Sequence, residues 1–232
     1  MLRDRARGPL SRREESKRAE PRGPREDSVN NRALTISKLI DKIREDLELN
    51  PCVYEPSDDT WLAAEALTAL AKEGRRYHSI IEIGSGTGVL ALLAYELFKP
   101  LRLVATDLSP YAVRVSRRNL PPEILVARCD GASCLEAGWD LAILNPPYLP
   151  IEPRNLSPRD CDDWLDLAWS GASSMKELVL EAVRVAREAV IVSSSLSPVR
   201  VEEIAVREGK RARVIASRRF FFEEIIVHHI EL

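Results

Sequence analysis

Apolar runs without polar interruption constrain the fold of this chain more than any other feature. From residue 79 onwards, Val, Ile and Leu form short continuous runs, separated by longer segments with helical periodicity. Because such a run has no polar face, it is typical of a strand buried on both sides in a parallel sheet. The strands predicted in this way are 79–83, 101–106, 123–127, 141–144, 189–193, 213–217 and 221–230. The helices predicted between them are 89–98, 111–119, 176–188 and 199–208.

The order of these segments predicts an α/β fold with a doubly wound, mostly parallel sheet. The connection between the last two strands is short, so they should form an antiparallel pair at one edge of the sheet. Neither periodicity is present between Pro146 and about Gly171, and we expect a long irregular stretch there.

The part of the chain before the core is predicted to be charged and then helical. Residues 1–32 contain mostly Arg, Glu, Ser, Pro and Gly, which is typical of a disordered extension. Residues 33–75 predict a helical lead-in, and 76–232 the α/β core, of a domain that covers 33–232. The lead-in contains two predicted helices, one over 33–47 and one from Ser57 or Asp58 to about residue 72.

Charge is distributed unevenly along the chain. The formal net charge is −2, and residues 1–30 carry nine Arg or Lys against six Asp or Glu, which leaves −5 for the remainder. The acidic body argues against nucleic acid as a partner, although the basic first segment leaves a nucleic-acid-attracting tail open beside a solvated extension. No apolar run approaches the ~18 residues of a membrane span, and no apolar stretch of a secretory signal begins the chain. We therefore expect a cytoplasmic protein with no membrane segment.

The four cysteines are Cys52, Cys129, Cys134 and Cys161, and no two of them form a CxxC pair. The few histidines do not cluster with them, so the sequence predicts no zinc or other metal site. Buried or free thiols in a reducing cytoplasm are the expected state. The absence of Gln and the abundance of Arg and Glu are typical of proteins from hot environments, in which intracellular disulfides are less unusual.

A glycine loop follows the first strand and opens a helix, with Gly84, Gly86 and Gly88 in the spacing GxGxG. Glu82 lies at the strand end, where its carboxylate would repel a pyrophosphate but accept hydrogen bonds from an ammonium group. Asp107 ends the next strand, where a carboxylate accepts hydrogen bonds from both ribose hydroxyls of an adenosine. An adenosine with a cationic amino-acid tail indicates S-adenosylmethionine. For the loop alone, NAD or a tight turn without a ligand remains an alternative.

A second motif, Asn145-Pro146-Pro147-Tyr148, comes directly after the predicted strand 141–144. Ligands of open α/β sheets bind outside the carboxyl ends of the strands, which is where this motif should lie. The prolines make the loop rigid, so that the carbonyls of Asn145 and Pro146 and the side-chain oxygen of Asn145 can accept hydrogen bonds from an –NH2 group. Tyr148 offers a ring that can stack on a planar amide or base.

These acceptors suit the methylation of a nitrogen whose lone pair is delocalised. Hydrogen bonds to both N–H protons can localise that lone pair and orient it toward a methyl donor. The sequence therefore predicts catalysis by Asn145, Pro146 and Tyr148 without a dedicated general base. A proline-stiffened turn is the structural alternative for this motif.

Together the motifs resemble those of class I methyltransferases that modify the amino nitrogens of glutamine, adenine or cytosine. The segments that carry this resemblance are 82–88, Asp107 and 145–148. Residues 53–62 and the ending 221–227 further resemble the short eukaryotic and archaeal branch of the HemK family, over about residues 50–232. The resemblance implies a Rossmann-like class I fold and methylation of the glutamine in the Gly-Gly-Gln motif of class I translation release factors.

The family resemblance also implies site residues and a partner. It places cofactor contacts at Thr60, Glu82, Gly84, Asp107, Asp130 and Asn145, and substrate contacts at Asn145 and Tyr148. Short enzymes of this branch pair with a small zinc-binding activator protein. The apolar strand 123–127 is a candidate sheet edge for that protein, with a strand covered by its own helices as the alternative.

Three other functions stay open at this point. The same loop could hold a flipped base of DNA or RNA, although no target-recognition domain is evident. Relatives that accept lysine make a protein lysine methyltransferase the next alternative. A cofactor-binding subunit that scaffolds a partner is the non-enzymatic one.

Overall fold

The computed structural model describes residues 26–148, 159–169 and 172–232. The chain divides into two units, residues 1–37 and residues 38–232, and the second contains the whole sheet. The helices are α1 (Glu26–Asp46), α2 (Asp58–Lys72), α3 (Val89–Phe98), α4 (Pro110–Asn119), α5 (Cys161–Trp169), α6 (Ala172–Val185) and α7 (Val201–Arg207). The strands are β1 (Ser79–Ile83), β2 (Arg102–Asp107), β3 (Leu125–Arg128), β4 (Trp139–Leu144), β5 (Ala186–Ser194), β6 (Arg211–Arg219) and β7 (Glu224–Glu231). Within these ranges, no helix is both long and apolar enough to cross a membrane.

The seven strands form one sheet in the order β3-β2-β1-β4-β5-β7-β6. β1 lies between β2 and β4 and is parallel to both, and the chain moves outward from β1 in two directions. β7 is antiparallel to β5 and to β6, so the antiparallel pair lies at one edge of the sheet. The prediction of a doubly wound, mostly parallel sheet with an antiparallel edge pair is confirmed, as is the Rossmann-like class I fold.

The continuous apolar runs are explained by burial on both faces of the sheet. All five residues of β1 are buried, and the adjacent Ile80 and Ile81 belong to different core clusters. Ile80 packs with residues of α2 and α3, whereas Ile81 packs with residues of α6 and α7. Because side chains alternate along a strand, a strand between two helical layers needs apolar residues at every position.

Several element boundaries differ from the predictions. The helix predicted over 176–188 is α6, which ends at Val185, and β5 begins at Ala186. The helix predicted over 33–47 begins at Glu26, because the residues before 33 contain too few apolar side chains for periodicity to reveal it. The stretch predicted to be irregular contains α5. This helix has nine residues, or little more than two turns, which is too short for its periodicity to be evident in the sequence. The last strand begins at Glu224 rather than at residue 221. The rest of the predicted extension, residues 1–25, lies outside the described residues.

The cysteines are paired, so the expectation of free thiols was wrong. Cys52 is bonded to Cys161, with a Cα–Cα distance of 4.8 Å, and Cys129 is bonded to Cys134, with 6.0 Å. Residues 52 and 161 are 109 positions apart, so only the fold brings them together. The first bridge fastens the start of α5 to the segment that precedes α2.

Candidate active site

The glycine loop joins β1 to α3 at the carboxyl end of the parallel strands. Gly84, Gly86 and Gly88 have φ values of 71°, 54° and 84°, a region that residues with a side chain rarely adopt. A Cβ atom on Gly88 would also come within 3.1 Å of Leu120, whereas one on Gly84 would meet no atom within 4 Å. The loop is therefore packed on one side and open at Gly84, where a ligand can approach the backbone.

Asp107 ends β2 and is fastened to the glycine loop. Its Oδ2 accepts a hydrogen bond from the Gly86 N–H and its Oδ1 accepts one from the Ser109 N–H, both at 2.8 Å. Burial raises the pKa of the Asp107 carboxyl, and these backbone donors oppose the change. A carboxylate oxygen has more than one acceptor position, so Asp107 can still bind the two hydroxyls of a ribose.

The two other acids predicted at the cofactor site have different surroundings. Glu82 is 3% exposed, and its Oε2 accepts a hydrogen bond from the Ala91 N–H of α3 at 3.0 Å. Burial raises the pKa of Glu82 well above its usual value, so the group is a buried link between β1 and α3. Asp130 is exposed just after β3, next to Cys129, whose N–H donates to the Asp107 carbonyl. Their roles toward a cofactor stay predictions.

Asn145 directly follows β4, as predicted, and its side-chain amide has a defined orientation. The Nδ2 group donates to Oδ2 of Asp59 at 3.2 Å and to Oγ1 of Thr60 at 3.3 Å. An ionised carboxylate can only accept hydrogen bonds, so the amide nitrogen has to face Asp59. Oδ1 of Asn145 is thereby turned away, and it is buried with no hydrogen-bond partner in the described part of the chain.

Asp59 is the centre of the hydrogen-bond network, and sequence reasoning did not find it. The carboxyl is only 4% exposed. Besides Asn145, it accepts hydrogen bonds from the Tyr54 hydroxyl, the Thr60 N–H and hydroxyl, and the Tyr148 hydroxyl, at 2.6–3.2 Å. The sequence signal was present as paired acids before Thr60, but acids in the first turn of a helix are also common for capping. The burial of Asp59, the second of the two acids, distinguishes a role in the hydrogen-bond network from a role in helix capping.

Tyr148 acts as a hydrogen-bond donor in this network. Burial, followed by the negative charge of Asp59, raises the pKa of its hydroxyl far above the ordinary value. The hydroxyl therefore keeps its proton, which it donates to Oδ2 of Asp59 at 3.2 Å. A phenol held in this state cannot serve as a general base near neutral pH. Pro146 is buried and Pro147 is half-buried in the same loop.

The predicted site residues thus fall into two groups. Thr60, Asn145 and Tyr148 meet at Asp59, while the glycine loop meets Asp107. Val53 directly precedes Tyr54, a donor to Asp59, and its Cγ1 lies 4.0 Å from the position that a Cβ on Gly86 would occupy. A cavity of about 470 Å³ is lined by residues of this segment and of α5, namely Leu49, Asn50, Pro51, Val53, Tyr54, Glu55, Pro56, Ser57 and Leu165. Its volume is within the range of small-molecule sites, but none of the predicted cofactor or substrate residues lines it.

A further group of potential metal ligands lies elsewhere, on β5 and β7. Ligand atoms of Glu188, His229 and Glu231 lie within 4.8 Å of one another. The Arg75 guanidinium donates to Glu188 at 3.1 Å and to Glu231 at 2.7 Å, and it supplies the positive charge that the carboxylates require. The group therefore is a network of ion pairs that fastens β5 to β7.

Comparison with known proteins relates the chain to methyltransferases. Residues 62–152 match the family model described as the methyltransferase small domain. Methyltransferase HEMK2 of Mus musculus is 30% identical over 135 residues, which cover 55% of this chain and 61% of the mouse protein. A candidate protein N5-glutamine methyltransferase of Methanocaldococcus jannaschii is 24% identical over 192 residues, which cover 78% of this chain and 92% of that protein. The resemblance to the HemK family is confirmed by these relatives.

Solved structures with this fold include the Mtq2-Trm112 complex of E. cuniculi, described as responsible for the methylation of the translation termination factor eRF1. The TM-score is 0.58 at 21% identity, covering 78% of this chain and 98% of the matched one. An RNA methyltransferase candidate of Pyrococcus horikoshii gives the same TM-score at 16% identity, with 85% of this chain and 98% of the other covered. At these identities the similarity shows a shared fold.

Proposed function

We propose that this relative of the HemK family is an S-adenosylmethionine-dependent methyltransferase that modifies the side-chain amide of a glutamine in a class I release factor. The observation that carries the proposal is Oδ1 of Asn145, a buried acceptor at the carboxyl end of β4 without a partner in the described residues. Burying an acceptor without a partner is costly, so such an atom indicates a ligand with an N–H or O–H group.

The residues at the glycine loop fit the proposed cofactor. S-adenosylmethionine, when bound, supplies a methyl group on a positively charged sulfur. The Asp107 carboxylate would hold the ribose, and the open backbone at Gly84 would allow the close approach. Thr60, Glu82, Gly86, Gly88, Asp130 and Asn145 complete the proposed cofactor residues.

The proposed role of the group that meets at Asp59 is to position the amide nitrogen of the substrate. Oδ1 of Asn145 and the Pro146 carbonyl would accept its two N–H groups, and the Tyr148 ring would cover one face of the amide. Asp59 holds Asn145 and Tyr148 in place before the substrate arrives. Dipoles that are already oriented in a buried site stabilise the charge that develops at the nitrogen.

The names of the relatives support the choice of substrate. The M. jannaschii relative is named for protein N5-glutamine methylation, and the E. cuniculi complex for methylation of eRF1. The two glycines of a Gly-Gly-Gln loop would let a protruding backbone enter a narrow cleft. An exocyclic amino group of adenine would offer a similar edge, so the pocket chemistry alone leaves a nucleic-acid substrate as the alternative.

Substitution of Asp107 tests the cofactor assignment. We expect Asp107→Ala to weaken S-adenosylmethionine binding by about 1.5–3 kcal/mol, or roughly ten- to a hundredfold in Kd, because charge-assisted hydrogen bonds are lost. Isothermal titration calorimetry measures this change, with Glu203→Ala, an exposed acid on α7, as the control. Unchanged affinity in Asp107→Ala, or binding of NAD by the wild type, would contradict the assignment.

A methyl-transfer assay tests the substrate. The enzyme is offered a release factor, the same factor with Gln replaced by Ala, a lysine-containing peptide, and DNA and RNA oligonucleotides. We expect methylation of the unaltered factor alone, detected by mass spectrometry as a modified glutamine. Methylation of nucleic acid, of lysine, or of both factors equally would refute the glutamine assignment and leave the methyltransferase assignment in place.

A small zinc-binding activator protein is the partner that we propose. β3 pairs with β2 on one side, and in the described ranges no strand pairs with its other side. Leu125 at its start is 66% exposed, although the Val126 carbonyl already accepts a hydrogen bond from the Arg117 guanidinium at 3.1 Å. An open edge of this kind is a template for strand addition. The name of the E. cuniculi complex supports a partner protein for a protein of this fold.

The proposed partner site at β3 predicts that substitutions at two exposed apolar positions differ in their effect on the affinity for the activator. Leu125→Glu should reduce the affinity for the activator by about tenfold or more, since truncated or altered contacts at the centre of an interface have effects of that order. Val206→Glu, at a 69% exposed position on α7, should leave the affinity unchanged. The measurement is Kd from purified components. A monomeric preparation of the chain alone with full activity would argue against obligate pairing.

A further inference from the structure

The tip of the β6–β7 hairpin carries an unusual sequence. The Phe220 N–H donates to the Glu223 carbonyl at 2.7 Å, which closes a loop of two residues, Phe221 and Phe222. Their side chains are 100% and 93% exposed. Two-residue hairpin loops favour Asn, Asp and Gly, and exposing two adjacent phenyl rings to water is unfavourable. Neither turn geometry nor packing against the described residues explains this pair, and such conflicts are expected at functional sites.

The hairpin tip lies at the same end of the sheet as the candidate active site. Leu144, the last residue of β4, pairs with Ile191 of β5, and Ser194 at the end of β5 pairs with Ile225 of β7. The start of β7 is therefore at the carboxyl end of the parallel strands, where Asn145 lies.

Two contacts fasten the hairpin arm beside the network of Asp59. The Arg218 guanidinium contacts Asp58 at 3.6 Å and Glu65 at 2.7 Å, both on α2. Asp58 directly precedes Asp59 in that helix. Phe220, unlike the two tip residues, packs against the core.

We propose that Phe221 and Phe222 dock the protein whose side chain is methylated, by inserting into an apolar depression next to the target residue. The proposal rests on the proposed function, because it takes a protein as the substrate. Aromatic side chains, including Phe, are enriched in the cores of protein interfaces, and exposed apolar patches mark interaction sites. Stacking on a nucleic acid would also need cations for its phosphates. Of the two arginines next to the tip, Arg218 is paired with the acids of α2, while Arg219 is 81% exposed and contacts Glu224 at 3.4 Å. The tip therefore offers a nucleic acid a single exposed arginine.

The test compares a large and a small substrate in the full chain with its activator. Phe221→Ser/Phe222→Ser should lower kcat/KM for the intact release factor by about tenfold or more, mainly through KM, as loss of interface anchors does. Turnover of a short peptide with the Gly-Gly-Gln loop, cofactor affinity and Tm should be unchanged. Leu101→Ser is the matched control, since Leu101 is 86% exposed just before β2, at the amino end of the parallel strands.

Binding of the release factor in the presence of S-adenosylhomocysteine separates this proposal from the proposed function. If the wild type binds the factor but does not methylate it, the function fails, and a weaker Kd of the double variant still supports docking. If the wild type methylates the factor and the double variant equals it in Kd and KM, docking is overturned and the function stands. Docking is also overturned if the double variant loses the same factor in kcat/KM on the peptide and on the intact factor. It is overturned as well if the double variant binds an RNA oligonucleotide more weakly than the wild type while its affinity for the release factor is unchanged. If the wild type neither binds nor methylates the factor, both proposals are overturned.

Discussion

Replacement of Asn145 by Ala should reduce turnover by about 100- to 1000-fold, the usual cost of removing an oriented group at a reacting centre. The physical reason is that the substitution removes Oδ1, the buried acceptor without a partner in the described residues. It also leaves Asp59 and Thr60 without the Nδ2 donor that they share. Cofactor affinity should fall much less, because Asp107 and the glycine loop are untouched.

The measurement is kcat with the release factor, together with cofactor Kd from calorimetry and Tm from thermal unfolding. A variant that binds the cofactor and keeps kcat within a few-fold of the wild type would refute the role of the Asn-Pro-Pro-Tyr motif. A variant that loses cofactor affinity and turnover in the same proportion would place Asn145 in cofactor binding alone.

Replacement of Asp59 by Asn should also reduce kcat, by about 100-fold, although Asp59 acts through its neighbours. The side-chain amide of Asn has N–H donors on one side and an oxygen on the other, and either orientation of this group at position 59 is unfavourable. Turned toward Asn145, its NH2 group would face Nδ2 and push that amide to flip, so that a donor replaces the acceptor in the site. Turned the other way, it would face the Thr60 N–H, which now donates to Oδ1 of Asp59 at 2.6 Å.

Asp58→Asn provides the matched control, because it makes the same chemical change one residue earlier at an exposed position. We expect Asp59→Asn to lower kcat with little change in the KM for the cofactor, and Asp58→Asn to leave both near the wild-type values. A buried donor left without an acceptor should also lower the unfolding free energy of Asp59→Asn by about 1–3 kcal/mol. If Tm falls but kcat in the folded protein does not, Asp59 has a structural role only.

The local sequence determined the order of the strands and helices and the two motifs of the site. Both follow from short-range patterns: apolar runs mark strands buried on two faces, and glycines mark backbone with positive φ. The loop at Gly84 and the acid at Asp107 lie where those patterns placed them. The short helix α5 was not predicted, because its nine residues complete little more than two turns and hardly repeat the helical periodicity.

Only the tertiary structure decided which polar side chains meet. Asp59 and Asn145 are 86 residues apart, and their contact depends on the start of α2 lying beside the carboxyl end of β4. The pairing of Cys52 with Cys161 and the position of the Phe221–Phe222 tip depend on the fold in the same way. A sequence pattern reports the environment that a residue requires, whereas a hydrogen bond or a disulfide requires a specific partner in space. For that reason the motifs were evident in the chain, and the carboxylate that orients them became evident only in the folded protein.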